Sequence, residues 1–72
     1  MNRWEFEIHF AKDNKHAMVT IHQVLDGYAD VRCSGKEGIA FGEGPSQWLR
    51  LRFFELKRRL PDVEIYYHEV EE

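Results

Sequence analysis

A single cysteine, Cys33, leaves the chain without the means to form an internal disulfide or a multi-cysteine zinc knuckle, and suits a reducing compartment. No apolar run approaches the roughly 20 residues of a membrane-spanning helix, and the opening Met1-Asn2-Arg3-Trp4-Glu5 lacks the apolar stretch of a signal peptide. The expected location is therefore the cytoplasm. There is no internal repeat, no low-complexity segment and no catalytic or cofactor motif. What is present is too apolar and too aromatic for a disordered chain, with 43% hydrophobic and 14% aromatic residues. Seventy-two residues make one small domain, 1–72, with one core.

Hydrophobic periodicity predicts an α+β domain. Arg3 to Phe10 alternates strictly, Trp4, Phe6, Ile8 and Phe10 against Arg3, Glu5, Glu7 and His9, which is the period of a half-buried strand. Lys12 to His16 supplies a polar turn. Ala17 to Leu25 reads as a second strand, with Val19 and Ile21 inward and a bulge near Gln23 where the alternation slips. Asp26-Gly27 is a strong hairpin signal, because a type I′ turn needs positive φ at both central positions. It leads into a strand from Tyr28 to Ser34 with Ala29, Val31 and Cys33 inward. Ile39-Ala40-Phe41 makes a short fourth strand ended by Gly42-Glu43-Gly44, and Gly38, Gly42 and Gly44 shape a bend into the helix that follows.

Pro45 suits the first position of a helix that extends to Leu60, closed by Lys57, Arg58 and Arg59 at the negative end of the dipole and by Pro61. Val63 to His68 is a closing strand, and residues 69–72 are an acidic tail expected to fray. The expected order is β-β-β-β-α-β: about five mainly antiparallel strands with one helix on one face and the last strand beside the first. The portion from Met18 to His68, with its Asp26-Gly27-Tyr28 hairpin, is similar in outline to the small partial RNase-H-like domains of some toxin-neutralising antitoxins.

Within the helix, Leu49, Phe53, Leu56 and Leu60 fall within about 60° of one another and form the core stripe. Leu51 and Phe54 lie on the opposite side, flanked by Gln47 and Arg58, where a two-layer domain has nothing to cover them; such apolar pairs rimmed by charge mark a partner surface. Trp48 lies on the flank, within reach of stacking by Arg52 or Arg59.

The net charge of −3 conceals an asymmetry: residues 45–60 hold five basic residues against Glu55, a surplus of four, and the rest of the chain a deficit of seven. The helical cations are spread around the cylinder, which argues against direct nucleic-acid binding. The acidic outer sheet face, with Glu5, Glu7, Asp30 and Glu64, suits a cationic protein partner such as the nucleic-acid groove of another protein. Strand parity also sends His9, His22 and His68 to that face beside Tyr28 and Tyr66, without the short-range spacing of a metal site. Cys33 shares its parity with Ala29 and Val31 and reads as a small buried residue.

These features predict a non-catalytic protein-binding module without cofactor, metal or membrane partner. In function it would be a stoichiometric inhibitor of a larger protein or complex, a class that includes the anti-defence (anti-CRISPR-like) proteins of phages and other mobile elements. Two alternatives are an antitoxin-like or regulatory domain that forms a homodimer through its helix, and a minimal metal-dependent hydrolase built on the histidine face.

Overall fold

The computed structural model describes residues 2–70 of the chain. Four strands and two helices follow in the order β1 (Arg3–His9), α1 (Lys15–Leu25), β2 (Asp30–Ser34), β3 (Ile39–Pro45), α2 (Ser46–Arg59) and β4 (Glu64–Val70). The α+β class holds. The count of five strands and one helix does not, because Ala17 to Leu25 is helical.

That segment has the spacing of a helix. Its buried residues Ala17, Thr20, Ile21, Val24 and Leu25 recur at i, i+3, i+4, i+7 and i+8, while Val19, expected inward, is exposed. The slip at Gln23 is thus the 3.6-residue period and not a bulge. Asn14 caps the helix, its side-chain oxygen accepting a hydrogen bond from the Ala17 amide at 3.0 Å. The positive φ anticipated at Asp26-Gly27 is real at Gly27 (+80°), but it follows a helix. The Asp26 amide donates to the His22 carbonyl, and those of Tyr28 and Ala29 donate to the Leu25 carbonyl, so the glycine turns the chain out of α1. With Met18–Leu25 helical, the resemblance to the antitoxin domains fails at its first strand.

The sheet order is β2-β3-β1-β4, every neighbouring pair antiparallel. β1 and β4 pair from Arg3 opposite Val70 to His9 opposite Glu64, which places the last strand beside the first, as expected. Glu69 and Val70 therefore belong to a strand and not to a frayed tail, and Glu71 and Glu72 lie outside the described residues. β3 lies between β1 and β2, and β1 between β3 and β4, the split β-α-β arrangement of ferredoxin-like folds.

Gly42 and Gly44 lie inside β3, which runs on to Pro45, and do not end a shorter strand. Gly42 is required by crowding: a Cβ there would run into the Asp30 carbonyl oxygen and sit 3.1 Å from the Phe6 ring. Pro45 is the residue before α2, and the Ser46 amide behind it donates to the Asn2 carbonyl at 3.1 Å.

Both helices cover one face of the sheet. Phe6, Ile8 and Ala40 from the strands meet Ile21, Val24 and Leu25 of α1 and Leu49, Phe53 and Leu56 of α2, with Leu60 and Val63 closing the end. The predicted stripe of α2 is buried throughout. No helix among the described residues is long and apolar enough to cross a membrane.

Candidate functional site

Since both helices occupy one face, the other is open, and the register sets its side chains in rows. Asp30, Glu43, Glu5 and His68 form one row across four strands; Arg32, Phe41, Glu7 and Tyr66 form the next; Ser34, Ile39, His9 and Glu64 the third. The face holds a shallow concavity of about 890 Å³ between the first two rows, with Asp30, Glu43, Glu5 and His68 along one side and Arg32, Phe41, Glu7 and Tyr66 along the other. Glu5, Glu7, Asp30 and Glu64, singled out from the sequence, are all brought to this face.

The first row sets Asp30 opposite Glu43 and Glu43 opposite Glu5, two successive like-charge pairs. Like charges directly opposite destabilise a sheet. Within the chain a guanidinium meets one of these carboxylates and an imidazole lies beside another. Arg3 Nη2 lies 3.0 Å from Glu43 Oε1, and His68 Nε2 lies 3.4 Å from Glu5 Oε2. In the third row and its neighbour, His9 Nε2 stands 3.2 Å from Glu7 Oε2 and the Tyr66 hydroxyl donates to Glu64 Oε2 at 2.5 Å. That hydrogen bond, together with the Glu64 charge, pushes the Tyr66 phenol above its ordinary value. These side chains are largely exposed, so each pair contributes little to stability. Among the described residues, five carboxylates on this face, counting Glu64, stand against the guanidinium groups of Arg3 and Arg32.

The three-histidine face does not form. His9 and His68 lie on β1 and β4, but His22 is in α1. Among the described residues no three His, Cys, Asp or Glu side chains form a group suited to a metal ion. Tyr28 is not on the face either: it follows α1, with its ring edge-on to Trp48 at 6.2 Å. Arg52 stacks on Tyr28, its guanidinium carbon 4.8 Å from the ring centroid, and not on Trp48. Arg59 reaches Gln23 instead, at 3.3 Å. Cys33 is half-buried against the core, and burial pushes its thiol pKa up.

Leu51 and Phe54 are 64% and 68% exposed on the back of α2, as the helical phase predicts. Arg58 lies beside them, 4.0 Å from Glu55, and Trp48 is 48% exposed on the flank. This second surface is separated from the acidic face by the whole thickness of the molecule. Phe41 and Glu43 complete the acidic face and were not singled out from the sequence; parity along the expected strand Ile39-Ala40-Phe41 was the signal for Phe41, and that for Glu43 was hidden because the glycines read as the end of the strand. No family model matches the chain, and no curated protein matches it in sequence.

Proposed function

We infer that the protein is a non-catalytic binding module whose open sheet face occupies a cationic surface of a larger protein, acting as a stoichiometric inhibitor. The observation that carries this reading is the carboxylate row Asp30-Glu43-Glu5, held on three adjacent strands, whose field complements a cationic partner. Phe41 and Tyr66 in the next row offer ring faces on which arginine side chains can stack. The same field repels phosphate, which argues against nucleic acid as the ligand. Nucleic-acid grooves of other proteins carry the matching charge, and the channels of RNA-guided defence complexes are one case, so an anti-CRISPR-like inhibitor is a member of this class.

A paired capture tests the reading. Wild type, the double variant Glu5→Lys with Glu7→Lys, and the double variant Leu51→Lys with Phe54→Lys are each immobilised and challenged with lysate. The expected result is a protein held by wild type and by the α2 variant, released by salt, and lost by the sheet-face variant. A protein lost only by the α2 variant would move the interface to Leu51 and Phe54, the second surface that exposed apolar side chains favour.

A further inference from the structure

Sheet edges present unpaired backbone groups, and proteins blunt them with lysine, proline, bulges or a covering element. β4 is a seven-residue edge strand, Glu64-Ile65-Tyr66-Tyr67-His68-Glu69-Val70, with no lysine, proline or glycine in it. Its ladder to β1 runs without a bulge from end to end. β2, the other edge, has five residues, and full-length pairing of two β2 strands would set Arg32 against Arg32.

We propose that two copies of this chain join their β4 edges antiparallel about Tyr67, making one eight-stranded sheet with all four helices on one side. The register sets no like charges against one another. Pairing about Tyr67 sets Tyr66 opposite the second copy's His68, Glu64 opposite Val70 and Ile65 opposite Glu69, so no carboxylate faces another. Parity is preserved, which keeps Tyr66 and His68 on the open face and Ile65 and Tyr67 on the helical face.

Tyr67 lies at the axis. Its ring stacks on Trp4 at 4.3 Å and leans on Phe53 at 5.7 Å, yet it remains 53% exposed. In the pair the two Tyr67 rings meet across the axis and extend the aromatic cluster of each copy into the other, an isologous contact that closes with two subunits. The dimer also doubles the acidic face, giving one continuous surface. This inference is independent of what that surface binds.

Sedimentation equilibrium from micromolar to millimolar protein tests it, with the double variant Tyr66→Lys and His68→Lys as the control. In the chain those positions lie opposite Glu7 and Glu5, so lysine suits the β1–β4 ladder, whereas across the proposed interface lysine meets lysine. The expected result is a wild-type dimer, with amide exchange in β4 slowing as concentration rises, and a folded monomer for the variant. A wild-type monomer at every concentration would overturn the proposal, as would a dimer that survives in the lysine variant. A dimer that Leu51→Lys with Phe54→Lys dissolves would place the contact on α2 instead. Should the lysine variant fail to fold, β4 exchange in wild type decides: protection that does not change with concentration overturns the edge contact.

Discussion

Phe53 is the residue through which α2 holds the sheet. Its ring meets Phe6 edge-on at 5.3 Å and is flanked by Trp4 at 6.1 Å and Tyr67 at 5.7 Å, so one side chain joins α2 to β1 and β4. Phe53→Ala should cost about 3–5 kcal/mol, the range for a large buried aromatic, measured by denaturant unfolding. In a domain of this size that loss approaches the whole stability. A variant as stable as wild type would mean that the aromatic cluster is not load-sharing. On the open face, Tyr66 makes a different prediction. Its phenol pKa is raised by the hydrogen bond to Glu64, so the neutral form is the one the fold favours. The contribution is present below the ordinary tyrosine value of about 10 and is lost as pH rises through the folded value. Glu64→Gln should bring the Tyr66 titration, followed by tyrosinate absorbance, down towards that ordinary value.

At the scale of elements, α1 and α2 differ in how openly the sequence declares them. The strict alternation of Arg3 to Phe10 and the stripe Leu49, Phe53, Leu56, Leu60 each match one period, and both elements form where expected. Ala17 to Leu25 contains the β-branched run Val19-Thr20-Ile21 and is followed by Asp-Gly, two strong strand-and-hairpin cues. Tertiary burial of Ala17, Thr20, Ile21, Val24 and Leu25 outweighs them, and the Asn14 cap starts the helix. Asn14→Ala should therefore cost about 1 kcal/mol, the typical worth of such a cap, whereas a turn residue in a hairpin would not change the helical circular dichroism signal. Glu5, Glu7, Asp30 and Glu64 of the open face were legible by strand parity. Their assembly into rows was not, because β3 hides its outward Glu43 between glycines that a local reading takes for a turn, and the need for Gly42 arises from the approach of Asp30, distant in sequence.

For the whole molecule, charge and shape are divided between two sides: an acidic concavity edged by Phe41 and Tyr66 on the sheet, and a basic helix bearing Leu51 and Phe54 behind it. Substituting Leu51 and Phe54 by lysine should leave stability within about 1 kcal/mol, since neither is part of the core. On the sheet side, the outward carboxylates and rings are the proposed seat of a cationic protein surface. A nuclear magnetic resonance titration of the isotope-labelled protein with an arginine-rich peptide tests it most directly, because each backbone amide reports its own surroundings. The expected result is shifts concentrated at Glu5, Glu7, Phe41, Glu43, Tyr66 and His68, weakening with salt and abolished by Glu5→Lys with Glu7→Lys. Shifts centred on Leu51 and Phe54, or shifts that persist unchanged in the sheet-face variant, would contradict it.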